Sequence, residues 1–126
     1  MSDPARTLSA VLGRGSAHEG AHHWRAQRLT ALALLVLGVW FIVALALLPD
    51  FTYGSVRGLL SGIGNSTLVS LLILCLCWHS QLGVQVVIED YVRGPARMIS
   101  LVVSAFAHVL LAALGVLSVL RVAFAH

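Results

Sequence analysis

The sequence predicts an all-α membrane protein with three transmembrane helices, the N-terminus cytoplasmic and the C-terminus periplasmic. Three observations predict it. Of 126 residues only 10% are charged and 59% are hydrophobic, where a soluble domain carries about a quarter charged residues, and the mean hydropathy is +0.93. The charges are also clustered, so that Leu29–Pro49, Gly58–Ile88 and Met98–Leu120 contain no Asp, Glu, Lys or Arg. Finally, Arg6, Arg14, Arg25 and Arg28 precede the first apolar run and Arg93 and Arg97 lie between the second and third, against Arg57 and Arg121 on the other side. The positive-inside rule then sets the orientation.

The first apolar run, at about 1.5 Å per helical residue, reaches roughly 30 Å, the thickness of a bilayer's hydrocarbon core. Residues 1–28 before it mix Gly, Ser, Ala, His and Arg without an apolar period and are expected to be an irregular or short surface segment on the cytoplasmic side. Residues 29–126 form the anchor domain, with spans at about 29–49, 66–91 and 97–120. Trp24 suits the headgroup layer. The first span ends in Ala44-Leu-Ala46, which resembles a signal-peptidase site, but the run is long enough to cross and is kept as a helix. Pro49–Arg57 reads as a turn with interfacial aromatics. The start of the middle run, Gly58 to Asn65, is rich in small residues and suits an interfacial turn, which puts the second span near Ser66. Asn65-Ser-Thr67 fits the glycosylation pattern, although helix capping or chance explains it better at this position. Gly94-Pro95 ends the second helix and opens the third.

Little chain remains for a soluble catalytic domain. The arginines flank apolar spans instead of sharing one soluble face, which excludes nucleic-acid binding. Cys75 and Cys77 sit two positions apart in the second span, face different ways on a helix, and cannot bridge each other.

Ionisable residues inside a span are functional candidates, because hydrocarbon penalises them. Two qualify, His79 and His108, both about 14–15 Å from the expected cytoplasmic ends of their spans. Each imidazole can be a packing residue, a proton-path group or a haem ligand. His79 has more context. Gly83, one turn on, leaves room for a flat macrocycle near the backbone, and Asp90 falls on nearly the same face, flanked by Glu89 and Tyr91. A tyrosine hydroxyl beside carboxylates at the membrane boundary suits a hydrogen bond to a quinone carbonyl and a proton supply. A solvated helix end is the plainer reading, but the helix dipole disfavours two carboxylates there.

The segment His79-Ser-Gln-Leu-Gly83-Val-Gln-Val-Val-Ile-Glu89-Asp90-Tyr91-Val resembles the second-helix signature of the succinate dehydrogenase hydrophobic membrane anchor subunits: a His, a Gly four later, then Asp-Tyr at eleven and twelve. The stretch from Leu12 to Ala31, above all His23-Trp24 and Gln27-Arg28-Leu-Thr30-Ala31, is similar to the segment before the first helix in that family. Together they cover about a third of the chain. His18 departs from the Lys common in the family, which bears on surface contacts.

The resemblance implies a D-type cytochrome b anchor subunit of respiratory complex II in a bacterial cytoplasmic (inner) membrane. Its partners would be a cytochrome b556-type membrane subunit, an iron-sulfur subunit and a flavoprotein subunit. His79 would be one axial ligand of haem b, shared with the partner membrane subunit, with His108 the weaker alternative. Arg28 would pair with a haem propionate and His22 would line the same region. Tyr91 would hydrogen-bond ubiquinone, the substrate, with Asp90 in support. No residue of this chain would break bonds, since hydride and electron steps belong to cofactors elsewhere. A different class, a small proton or solute transporter using His79 and His108 as relay groups, lacks the internal repeat or paired broken helices that many transporters show.

Overall fold

A computed structural model describes residues 14–124 and consists, over those residues, of four helices and no strands. They are α1 (Arg14–Ala46), α2 (Tyr53–Ser61), α3 (Ile63–Tyr91) and α4 (Pro95–Phe124). Three helices are long and apolar enough to cross a membrane: Gly20–Ala46 within α1, all of α3 and all of α4. Arg6 and the Leu12-Gly13 part of the N-terminal motif lie outside the described residues, as do residues 125–126.

Where the helices begin differs from the sequence expectation in three places. Within the segment before the first span, the described part from Arg14 onward is helical and runs without interruption into the apolar run. Its Ala, Arg and Gln are good helix formers, and once the apolar part is helical, each added residue gains a backbone hydrogen bond without a new nucleation cost. The first loop is not only a turn, because it leads into α2. Thr52 caps that helix, its side-chain oxygen accepting from the Ser55 amide at 3.4 Å. The second long helix starts at Ile63, before the expected Ser66, with extended Gly62 as its N-cap and no side-chain cap bond. Asn65 is therefore inside the first turn and does not cap it.

The connection between α3 and α4 is as short as expected. Gly94 has φ +67°, a left-handed conformation that side-chain-bearing residues resist, and Pro95 opens α4 in the first-turn position that needs no amide donor. The chain thus reverses within three residues and sets α3 and α4 side by side.

Packing makes α3 the middle member of the three long helices. It contacts α1 on one side and α4 on the other, while α2 tucks against α3 and α4. The small core sits at the α2 end, where Leu60, Val69 and Val119 are buried under Trp40, Phe41, Val56, Ile73 and Val122. There Gly115 lets α4 approach α3, since a Cβ at that position would lie 2.8 Å from Ile73 Cγ2. Elsewhere large apolar side chains such as Leu35, Val36, Ile42, Phe106 and Val109 stand outward, as lipid-facing or partner-facing positions do. Cys75 and Cys77 are both free.

Candidate functional site

Polar side chains inside the apolar helices gather on both sides of α3 at one level. On the α1 side, His79 Nδ1 lies 2.9 Å from Thr30 Oγ1. Thr30 is buried, with 5% of its surface exposed, and no hydrogen bond within the described residues engages His79 Nε2. On the α4 side, the Ser104 hydroxyl donates to Gln81 Oε1 at 2.8 Å. His108 Nδ1 lies 2.8 Å from the Ser104 carbonyl oxygen and its Nε2 lies 3.1 Å from Ser80 Oγ. A carbonyl can only accept, so His108 Nδ1 carries the proton and Nε2 accepts from Ser80. The expected common depth of the two histidines holds, because His108 pairs with the residue next to His79. They face different neighbours, however, and only His79 keeps a ring nitrogen unengaged.

Toward the Tyr91 end, a groove of about 1300 Å³ opens between α1 and α3, with Arg97 of α4 at its margin; His22, His23, Trp24, Gln27, Trp78, Gly83, Gln85 and Glu89 are among its lining residues. Nothing stands within 4 Å of where a Gly83 Cβ would be, so the groove is open at that glycine. Two atoms at this groove are buried without a hydrogen-bond partner, His23 Nε2 and Gln27 Oε1. Buried polar atoms are nearly always paired, so these two are open to a water, a ligand or a partner side chain. A half-turn of the Gln27 amide, which keeps its shape, would present a donor instead of an acceptor. A second, mostly apolar groove of about 430 Å³ is lined by His22, Arg25, Leu29, Thr30, Cys75 and Trp78 among others. His79 itself lines neither groove; it reaches the second through its bond to Thr30.

The remaining candidates are spread over the Tyr91 end. Arg28 lies over Trp24, its guanidinium carbon 5.5 Å from the ring centroid, and lines neither groove. His22 lines both. Tyr91 is 82% exposed, and neither it nor exposed Asp90 makes a hydrogen bond or ion pair among the described residues. Glu89 is the anchored member of the acidic pair: it accepts from Gln85 Nε2 at 3.0 Å and lies 4.0 Å from Arg97. A carboxylate at a helix C-terminus and a guanidinium in the first turn of the next helix each oppose their own helix dipole, and their pairing offsets both. That is the physical use of Glu89 which the sequence did not reveal. Thr30, His23 and Gln27 were also missed as individual residues. Their signals were membership of the motif before the first span and polarity at the start of an apolar run.

No group of three or more His, Cys, Asp or Glu among the described residues forms a metal-binding cluster; an axial haem ligand asks for a single imidazole from one chain. For such a group the chain has one imidazole nitrogen, His79 Nε2, that is unengaged among the described residues, one turn from a glycine with nothing within 4 Å of its Cβ position.

Comparison with known proteins identifies the family. A family model described as succinate dehydrogenase/fumarate reductase transmembrane subunit matches residues 2–120. A succinate dehydrogenase hydrophobic membrane anchor subunit of Rickettsia bellii is 32% identical over 78 residues, which cover 62% of this chain and 62% of the relative. That of Rickettsia conorii is 31% identical over 86 residues, 62% of this chain and 63% of its own length. The Paracoccus denitrificans subunit is 29% identical over 96 residues, 75% and 74% of the two chains. The match thus spans a little under two thirds of the rickettsial relatives. No solved structure matches. Matched by the family model along most of its length and built of three long apolar helices, this multi-pass membrane chain belongs to the succinate dehydrogenase/fumarate reductase transmembrane subunit family.

Proposed function

We propose that this chain is the membrane anchor subunit of a succinate:ubiquinone oxidoreductase in a bacterial cytoplasmic membrane, with the Tyr91 end facing the cytoplasm. Together with a cytochrome b-type membrane subunit it holds the flavoprotein and iron-sulfur subunits at the membrane and completes the site where ubiquinone is reduced. The names of its relatives support this reading. The observation that carries the haem part is the asymmetry between the two membrane histidines. His108 is bonded at both ring nitrogens, whereas His79 is bonded at Nδ1 alone and stands one turn from an uncovered glycine.

In this reading His79 Nε2 would hold the iron of haem b together with a ligand from the partner membrane subunit. Arg28 would pair with a haem propionate, for which a guanidinium is well suited, and His22 would line the same region. The haem, when bound, supplies reversible one-electron storage. Tyr91 donates its hydroxyl proton in a hydrogen bond to a ubiquinone carbonyl, and Asp90, exposed beside it, supports proton delivery from the aqueous side. The high exposure of Tyr91 supports a role toward a ligand or partner outside this chain.

The test is isolation of the membrane complex through a tag on this chain. Flavoprotein and iron-sulfur partners, a b-type haem band and succinate-dependent ubiquinone reduction are expected. A chain that purifies alone and conducts protons or solutes would instead support the transporter. Tyr91→Phe should lower ubiquinone reduction about tenfold, the equivalent of one lost hydrogen bond of roughly 1–1.5 kcal/mol, with dye-linked succinate oxidation retained. Unchanged quinone reduction would leave Tyr91 an interfacial residue only.

A further inference from the structure

We infer that Thr30 is a positioning residue for His79: its hydroxyl fixes the imidazole in the tautomer that leaves the lone pair on Nε2. In doing so it sets how tightly and at what potential the haem is held. This inference rests on the reading of His79 as an axial ligand and adds to it a residue from a different helix.

Proton accounting carries it. A threonine hydroxyl has one proton to donate. The Thr30 oxygen lies 2.8 Å from the Ala26 carbonyl oxygen and 3.1 Å from that of Gln27. Carbonyl oxygens only accept, so the one proton of Thr30 is shared between these two. Toward His79, 2.9 Å away, the hydroxyl oxygen can then only accept, and His79 Nδ1 must carry the hydrogen. A neutral imidazole protonated on Nδ1 presents its lone pair at Nε2, the nitrogen left unengaged.

Other hydroxyls show that back-bonding alone does not produce this arrangement. Ser66 and Ser118 also donate to carbonyls one turn back, but neither has a side-chain acceptor or donor across a helix boundary. Thr30 does, over 49 positions of sequence. It is also one of two buried polar residues among those described, so the bond is shielded from competing water. A bond of this kind to the far nitrogen of a ligating histidine holds the ring plane and raises the basicity of the ligand. More basic imidazole stabilises oxidised iron and lowers the potential.

The experiment compares Thr30→Val, Thr30→Ala, Thr30→Ser and His79→Ala in the tagged membrane complex, reading haem content after washing, the haem midpoint potential and its low-spin resonance signature. Thr30→Val, equal in size but unable to accept, should weaken haem retention about tenfold or more and shift the potential of the remaining haem upward. Thr30→Ser should keep both near wild type. If Thr30→Val does not assemble, Thr30→Ala is read in its place. Wild-type retention and potential in the Val or Ala variant would overturn the role of Thr30, and so would a Ser variant as impaired as the others, because size and not the hydroxyl would then matter. His79→Ala separates the two levels: a wild-type haem spectrum there overturns the ligand reading itself, whereas haem loss in His79→Ala with normal haem in Thr30→Val overturns only the inference about Thr30.

Discussion

His79 and His108 stand at one level on neighbouring helices, yet their surroundings differ in one respect that decides what each can do. His108 is closed: its ring nitrogens are occupied by Ser104 and Ser80, and Ser104 in turn is tied to Gln81, so a ladder of polar groups fastens α3 to α4. His79 is half open, held at one nitrogen by Thr30 and unengaged at the other. The same side chain at the same depth thus serves as an internal fastener on one face of α3 and remains available to a ligand on the other. An intramembrane histidine alone says little. What its second nitrogen does says more.

The largest effect that would break this contrast is in haem binding. His79→Ala is expected to abolish the b-type haem band of the complex, and His108→Ala to leave it in place; loss with His108→Ala and retention with His79→Ala would reverse the assignment. Next is the contact that keeps the closed face closed. Gly115→Val would drive a β-branched side chain into Ile73, already 2.8 Å from where a Cβ would stand, and should destabilise the chain by about 1–3 kcal/mol. Denaturant titration in detergent measures the loss, and Ile73→Ala in the same chain should recover part of it, as expected for residues in direct contact.

Smaller still is the ladder itself. Ser104→Ala removes the bond to Gln81, and hydrogen bonds between membrane helices average about 0.6 kcal/mol, so the unfolding midpoint should move slightly with the haem spectrum unchanged. The smallest effect lies outside both faces, in the loop before α2. There Asp50 accepts from the Thr52 hydroxyl at 2.7 Å, from the Thr52 amide at 3.1 Å and from the Ser55 hydroxyl. These bonds, that of Ser55 first, hold its carboxyl below the ordinary carboxylate range. A lowered folded-state value means that this stabilisation is present above the unfolded value of about 3.9 and is lost as pH falls through the folded one. Asp50→Asn should therefore lower thermal stability marginally at neutral pH, and the gap to wild type should close in acid. A gap that widens in acid would mean the carboxylate is not what holds the loop.

Which parts of this were legible beforehand follows from the range of the interactions involved. The three spans and the Gly94-Pro95 reversal depend on local composition and backbone chemistry, and they stand in the sequence as runs and dipeptides. The start of α1 did not, because residues such as Ala21, Arg25 and Gln27 have helical propensity without an apolar period. The short α2 was hidden for a related reason: glycines at 54 and 58 argue locally for a turn, and burial of Leu60 beneath Trp40 and Val119 overrides them. At the site, His79, Gly83 and the Glu89-Asp90-Tyr91 cluster were visible because one helix carries them all. The Thr30 bond and the Ser80, Gln81, Ser104 and His108 ladder were not, since each joins residues that meet only when helices pack.

The side-by-side placement of α1, α3 and α4 has a consequence for the life of the chain before assembly. Among the described residues no side chain is completely buried, so much of each long helix is left without a protein neighbour. The chain consequently presents broad apolar flanks to lipid or to other helices and leaves one nitrogen of a membrane histidine unengaged among the described residues.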